Sequence, residues 1–146
     1  MSDRSEYPTI KSRTLTLTHD IPILKTKTYW DGLKEGKVYA TKCKKCGKTY
    51  YPPQVHCPRC LTSEVDWIHL SKGKLETFTK VYLKPQGFTH YEHDYTLTIV
   101  KTGEGVRVLG WLENMDVDIS KVGMPVEITT KIMPDGFITI VFKSIK

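Results

Sequence analysis

The chain has 146 residues, 39% of them hydrophobic, and a formal net charge of +6. This length and composition allow one ordinary core, or a small module attached to a modest domain. They exclude a transmembrane helix, because no run of about 18 apolar residues occurs. The N-terminus lacks an apolar signal-peptide segment, so we expect a cytoplasmic protein whose thiols stay reduced and which does not contact a membrane.

The positive charge is concentrated in one region of the chain. Residues 21–60 carry nine basic and two acidic side chains, whereas residues 61–146 carry ten basic and eleven acidic ones. A positive field of this kind suits a polyanion or a phosphate-bearing small ligand. The alternative interpretation is a soluble surface that is rich in lysine.

The first part, residues 1–37, is predicted to form an arm and a short helix. Thr14–Thr18 alternates polar and apolar residues, which is typical of a short strand or an extended arm. Thr26–Lys37 is predicted to be helical, although Gly32 weakens the helix, and Gly36 is a candidate for its C-terminal cap. The residues that share one face at helical spacing are Tyr29, Trp30 and Leu33.

The second part, residues 38–70, contains all four cysteines as two C-x-x-C pairs: Cys43 with Cys46, and Cys57 with Cys60. Two such pairs, ten residues apart, allow four thiolates to converge at about 2.3 Å from one tetrahedral ion. Glycine tolerates a positive φ, so Gly47 suits the turn after the first pair. The neighbouring lysines would offset the negative charge of a tetrathiolate. Metal binding would also supply the stability that this segment, poor in apolar residues, otherwise lacks.

Zinc is the ion that this pattern predicts, and iron in a rubredoxin-like site would use the same four sulfurs. A thioredoxin-like redox motif needs a single C-x-x-C at a helix start after a strand, which two basic pairs do not match. Buried thiols or vicinal disulfides are the remaining alternative.

The histidines do not form a clear second site in the sequence. His56 is expected to be exposed, or at most to donate a hydrogen bond to a metal ligand. His90 and His93 are interpreted as part of a solvated loop rather than as metal ligands. An enzyme that uses His90, His93 or Asp94 as a base is a weak alternative, because no orienting partner motif accompanies them.

The third part, residues 71–146, is predicted to be mainly β. Five β-rich runs are separated by turn signals: residues 73–83, 94–101, 105–112, 125–133 and 136–145. In the first run, alternate residues from Leu75 to Val81 are expected on one face. Five strands with an insert after the third, at residues 118–123, are typical of an OB-type barrel, and a five-stranded sandwich fragment is the alternative.

The motifs of this chain, in their order, resemble a known family. They are Trp30–Leu33, Cys43–Gly47, Tyr51–Pro53, Cys57–Cys60, Ser71–Thr79, Pro85–Phe88 and Val122–Val126. Over residues 26–146 the chain resembles the prokaryotic zinc-ribbon plus OB-fold proteins associated with acyl-CoA metabolism. It departs from them at Leu61, where the family's second cysteine turn has a glycine, so we expect that turn to be less tightly hydrogen-bonded.

This resemblance implies a rubredoxin-like zinc ribbon docked on an OB barrel, with zinc in a structural role. It also implies a non-catalytic accessory protein. Such a protein would bind acyl-CoA or CoA, or would hold a thiolase-type enzyme beside a second enzyme such as a hydroxymethylglutaryl-CoA synthase.

The candidate CoA-binding residues lie on the helix and the ribbon. Basic side chains would neutralise the phosphates, and an exposed aromatic ring would stack on adenine. The candidates are Trp30, Lys44, Lys45, Lys48, Tyr50, Tyr51 and Arg59. The acyl and pantetheine parts would need an apolar groove between ribbon and barrel. Alternatively, the aromatic residues simply pack the ribbon against its helix.

Binding of single-stranded nucleic acid is the alternative function. OB barrels often bind single strands through a basic groove and stacking aromatics. The strands of this barrel instead carry Glu76, Glu113 and Glu127 and few aromatic residues, so nucleic acid is the less favoured partner.

Overall fold

The computed structural model describes residues 8–83, 94–113 and 115–145 and shows an exposed arm, a short helix, a three-stranded sheet and a closed barrel. The regular elements are helix α1 (Lys27–Lys34) and strands β1 (Val38–Cys43), β2 (Thr49–Tyr50), β3 (Val65–Leu70), β4 (Lys72–Val81), β5 (Tyr95–Thr102), β6 (Arg107–Leu112), β7 (Pro125–Ile132) and β8 (Ile138–Ser144). Short 3-10 turns occur at Leu24–Thr26 and Ile119–Lys121. Within the described ranges, no helix is long and apolar enough to cross a membrane.

The three-stranded sheet carries the cysteines. Its strand order is β2-β1-β3, with β1 antiparallel to both neighbours. The β1–β3 ladder runs from the Val38–Leu70 pair to the Cys43–Val65 pair. Cys43 therefore lies at one end of the sheet, and Leu70, after which the chain enters the barrel, lies at the other end.

The remaining strands close into a barrel in the order β4-β5-β6-β8-β7, with β4 also paired to β7. Strands β6 and β8 are parallel, and all other neighbours are antiparallel. This is the five-stranded closed arrangement of an OB-fold. The prediction of a mainly β chain with a short helix, a zinc ribbon and an OB barrel is confirmed, and the sandwich alternative is wrong.

The expected alternation along the first barrel strand breaks at Glu76. Leu75 pairs with Val100, but the next pair is Thr77 with Ile99, so a bulge shifts the register. A bulge places two residues opposite one, and the side chains beyond it change faces. Leu75 is buried and Phe78 packs against the core, whereas Thr77 is exposed. The prediction that Leu75 shares a face with Thr77 and Val81 is therefore wrong.

The N-terminal predictions hold only in part. Residues 8–25 are exposed and outside any strand, so Thr14–Thr18 belongs to an exposed arm and forms no strand. Helix α1 is shorter than the predicted Thr26–Lys37. It ends early because Gly36, at φ +80°, turns the chain, and the backbone N–H of Lys37 donates to the carbonyl oxygen of Gly32 at 2.8 Å.

One hydrophobic core runs from the helix through the base of the ribbon into the barrel. Leu33, Val38 and Leu70 belong to the same buried cluster as Val100 and Phe142 of the barrel. Burial on this scale is the main stabilising term of such a small protein. The predicted domain boundaries at residues 37/38 and 70/71 stay a prediction. The buried core is continuous across both boundaries and therefore does not mark them.

Candidate metal centre

The first cysteine turn starts where β1 ends. The N–H of Cys43 donates to the carbonyl oxygen of Lys48 at 3.0 Å, and the N–H of Gly47 donates back to the carbonyl oxygen of Cys43 at 2.9 Å. Gly47 has a φ of +71°, which is the left-handed conformation expected for it. The turn is tight enough for Cys43 and Cys46 to face one point.

The second cysteine turn repeats the same hydrogen bonds at the same spacing. The N–H of Cys57 donates to the carbonyl oxygen of Thr62 at 2.8 Å, and the N–H of Leu61 donates to the carbonyl oxygen of Cys57 at 2.8 Å. Leu61 takes a φ of +53°, in the region that favours glycine. The expectation of a less tightly hydrogen-bonded turn is wrong, because the leucine adopts the glycine conformation instead of abandoning the turn.

The four sulfurs form one cluster that suits a metal ion. The Sγ atoms of Cys43, Cys46, Cys57 and Cys60 all lie within 4.8 Å of one another. The Sγ atoms of Cys46 and Cys57 are 3.8 Å apart, which matches the edge of about 3.8 Å expected for a tetrahedron with metal–sulfur distances of about 2.3 Å. Cys43 and Cys57 are buried, and the other two lie closer to solvent. The donor set therefore fits a tetrahedral ion held by four thiolates.

The surroundings of the cluster favour the thiolate form of one cysteine, Cys57. The Tyr50 hydroxyl lies 3.4 Å from the Sγ of Cys57, and this hydrogen bond lowers the pKa of Cys57 to about 6. The same bond raises the pKa of Tyr50 to about 12. Burial first, and then its sulfur neighbours, raise the pKa of Cys60 to about 12. Four thiolates so close together repel one another, and a bound cation is the physical means of keeping all of them ionised.

The buried residue Thr41 holds the loop between the two cysteine turns through two hydrogen bonds. It was not among the site residues predicted from the sequence. The Oγ1 of Thr41 donates to the carbonyl oxygen of Gln54 at 2.9 Å and accepts the N–H of the same residue at 2.9 Å. Thr41 is fully buried in β1, two residues before Cys43. Its place on the same strand face as a cysteine is the signal that could have identified it.

The candidate aromatic ligands are engaged in packing. The Nε1 of Trp30 donates to the Oγ1 of Thr26 at 3.1 Å, and its ring meets Tyr29 edge-on at 5.4 Å. The Tyr51 hydroxyl lies 3.2 Å from that of Tyr29, and burial raises the pKa of Tyr51. The contact between Tyr29 and Tyr51 joins helix to ribbon, as the packing alternative describes, whereas the two contacts of Trp30 lie within the helical segment. A ligand role for Trp30, Tyr50 or Tyr51 stays a prediction.

The candidate basic ligands are exposed residues that lie next to the cysteines in the sequence. Lys44 lies 3.5 Å from a carboxylate oxygen of Asp66, and the Nζ of Lys48 is 5.5 Å from the centre of the Tyr50 ring. Lys45 and Arg59 are exposed. All four stay available to an anion, because surface ion pairs and cation–π contacts of this kind are weak.

The remaining predicted site residues separate into two groups. His56 is exposed, as expected. His90, His93 and the motif Pro85–Phe88 lie outside the described residues.

Two C-x-x-C turns on a three-stranded sheet, joined to a closed five-stranded barrel, define a zinc-ribbon plus OB-fold protein. The family model of the ChsH2 rubredoxin-like zinc ribbon domain matches residues 30–66, and that of the ChsH2 C-terminal OB-fold domain matches residues 67–131.

Relatives place the chain in a family. A DUF35 domain-containing scaffold protein of Methanocaldococcus jannaschii is 32% identical over 73% of this chain and 78% of its own length. A protein of the same description from Pyrococcus furiosus is 32% identical over 74% and 79%. The chain belongs to this family of DUF35 domain-containing scaffold proteins.

Solved structures show the same fold. A chain of the Ltp2-ChsH2(DUF35) aldolase superposes with a TM-score of 0.69 at 21% identity, covering 82% of this chain and 93% of that one. A DUF35 family protein of unknown function from Sulfolobus solfataricus superposes with a TM-score of 0.57 at 17% identity, covering 84% and 86%.

Proposed function

We propose that this chain is a non-catalytic scaffold with a structural zinc ion, and that it holds a thiolase-type enzyme of acyl-CoA metabolism. The observation that carries the proposal is the closed donor set of the metal centre. Four cysteine sulfurs within 4.8 Å of one another fill the coordination shell of a tetrahedral ion. Catalytic zinc sites keep one position open for water or substrate, whereas structural sites do not.

Two further findings support the scaffold role. The relatives in Methanocaldococcus and Pyrococcus are described as scaffold proteins. The structural neighbour is an aldolase named for two components, Ltp2 and ChsH2.

The assignment of acyl-CoA metabolism rests on the motif resemblance and on the charge of the ribbon. Lys45, Lys48 and Arg59 are exposed beside the metal centre, where they can meet the phosphates of CoA bound to this chain or to a partner enzyme. We propose a hydroxymethylglutaryl-CoA synthase as the second enzyme that such a scaffold can hold.

Affinity purification of the tagged chain from its native cells tests the scaffold role. We expect a thiolase-type enzyme, identified by mass spectrometry, to co-purify in a fixed ratio and to be lost when chelation removes the zinc. Recovery of the chain alone, with intact zinc, would contradict the proposal.

Calorimetry with acetyl-CoA tests the ligand. The variant Lys45→Glu/Lys48→Glu should weaken binding, and the matched variant Lys11→Glu/Arg13→Glu, which makes the same charge change on the arm, should not. If acetyl-CoA does not bind but oligo-dT does, with a steep dependence on salt, the nucleic-acid alternative replaces this proposal.

A further inference from the structure

A cavity at one end of the barrel, the lysine groove, combines an apolar lining with three cations. It has a volume of about 410 Å³ and is lined among others by Lys72, Lys74, Lys101, Thr102, Pro125 and Ile145. This size falls within the range of small-molecule sites. The groove lies at the start of β4 and the end of β5, away from the cysteine turns.

The barrel register places like charges opposite one another beside this groove. Lys74 of β4 pairs directly with Lys101 of β5, and Lys101 pairs in turn with Arg107 of β6. Like charges at directly opposite positions of a sheet cost stability. Arg107 is neutralised, because its Nε and Nη2 bind the carboxylate of Glu76 at 2.5 and 2.9 Å. The two lysines form no ion pair of this kind among the described residues.

Three carboxylates near the groove form no ion pair with its lysines. The charge of Lys101 acts on Glu76 and helps to lower the pKa of that carboxyl, but Arg107 binds both oxygens of Glu76. Glu127 stands opposite Lys72 in one ladder and opposite Lys143 in the other. Glu104 lies in the turn that follows β5. In the part of the chain that the structure describes, neither Glu104 nor Glu127, nor any of the three groove lysines, takes part in an ion pair within 4.0 Å.

Packing holds the floor of the groove in a fixed shape. A Cβ atom added to Gly73, between Lys72 and Lys74, would lie 2.5 Å from the Cγ1 of Val100 and 2.6 Å from the carbonyl oxygen of Lys101. Real Cβ atoms do not approach other atoms so closely, so the absence of a side chain lets β4 and β5 meet at this point. The close packing of β4 against β5 therefore sets the positions from which the lysine side chains start.

We propose that the lysine groove binds the phosphate-bearing part of a small organic ligand, whose uncharged portion lies on the apolar lining. A phosphate ester or diphosphate supplies the negative charge that the Lys74–Lys101 pair lacks. Where that ligand is CoA, the inference rests on the proposed function and adds a phosphate contact on the barrel to those proposed for the ribbon.

The test is calorimetry on the zinc-loaded full chain at low salt, with CoA, ADP and inorganic pyrophosphate as separate probes. The variant Lys74→Glu should weaken binding of each phosphate probe by about tenfold or more, because it removes a charge-assisted contact and adds repulsion. The same variant should raise the melting temperature, because a Lys–Lys opposition becomes a Lys–Glu pair. The control is Lys11→Glu, which makes the same charge change on the exposed arm and should leave the affinities unchanged. Lys45→Glu is measured beside it to separate the groove from the ribbon.

The outcomes separate the groove from the proposed function. If Lys45→Glu weakens CoA binding and Lys74→Glu does not, the proposal of a phosphate site in the groove is overturned, and the proposal of acyl-CoA binding remains. If ADP or pyrophosphate binds, CoA does not, and the binding is lost in Lys74→Glu, the groove is supported and CoA is removed from the proposed function. Absence of binding by all three probes overturns the groove.

Discussion

The Oγ1 of Thr130 donates a hydrogen bond to the carbonyl oxygen of Leu33 at 2.7 Å, although the two residues are 97 positions apart. The last carbonyl groups of a helix have no partner within the helix. Here strand β7 of the barrel supplies one, and the Oγ1 of Thr129 reaches the carbonyl oxygen of Gly36 at 3.3 Å. The barrel therefore caps the helix that packs on the ribbon, and this contact helps to hold the three parts together.

Replacing Thr130 with valine should lower the free energy of unfolding by about 1 kcal/mol, because the Leu33 carbonyl loses the shorter of its two hydrogen bonds while the side-chain volume is kept. The bond that remains is the longer one from the N–H of Gly36, at 3.3 Å. Urea denaturation followed by tryptophan fluorescence measures this change. The control is Thr129→Val, whose longer bond predicts a smaller loss. Equal losses in the two variants would show that the hydroxyl of Thr130 is not specially important.

The two cysteine turns allow a matched pair of backbone substitutions. Leu61→Gly should stabilise the chain by about 1 kcal/mol, because glycine relieves the left-handed backbone that leucine adopts there. Little packing is lost, since Leu61 is 86% exposed. Gly47→Ala should destabilise by a similar amount at the equivalent position. Thermal melts of the zinc-loaded protein give both values, and a shift of the same sign in the two variants would contradict the shared geometry.

Gly32 offers a test in which helix propensity and packing act in opposite directions. Alanine is favoured over glycine in a helix interior by about 1 kcal/mol. A Cβ atom at this position would, however, lie 2.5 Å from the ring of Tyr39. We therefore expect Gly32→Ala to be destabilising. In the background of Tyr39→Ala the same substitution should destabilise less, and a double-mutant cycle in urea measures the difference. A stabilised single variant would mean that the ring moves aside at no cost.

The metal ligands should behave as one unit. Cys46→Ser removes one of four thiolates and should abolish stoichiometric zinc in elemental analysis, because zinc sites of this kind contribute folding energy directly. The ribbon should then lose its circular-dichroism signal on heating well before the wild type does. His56→Ala, next to Cys57 but exposed, should retain one zinc ion per chain. A folded, zinc-free Cys46→Ser protein with wild-type stability would contradict a structural role.

The ion pair of Glu76 and Arg107 predicts a pH dependence on the barrel. The hydrogen bond from Arg107 lowers the pKa of Glu76, and the charges of Arg107 and Lys101 act in the same direction against the opposing effect of burial. A carboxylate with a lowered folded pKa stabilises the protein above its ordinary pKa, and that stability is lost as the pH falls through the folded value. The melting temperature of Glu76→Gln should therefore lie below that of the wild type at pH 7 and approach it in acid. A gap that stays constant down to about pH 3, below the ordinary pKa of a glutamate, would exclude this mechanism.

Features that depend on local spacing were predictable from the amino-acid sequence. Two C-x-x-C pairs predict a metal cluster because a ligand pair needs only its own turn, and Gly47 marks the first of them. The β-rich runs and their turns likewise predicted the five barrel strands, and the order of motifs predicted the family.

Contacts between residues that are far apart in the chain became visible only in the folded structure. The bulge at Glu76 reverses the faces of β4, and the exposed arm at Thr14–Thr18 finds no strand partner among the described residues. The capping of Leu33 by Thr130 and the opposition of Lys74 to Lys101 both depend on strand register. Register is set by how the whole barrel closes and packs its core, and no short segment of sequence contains that information.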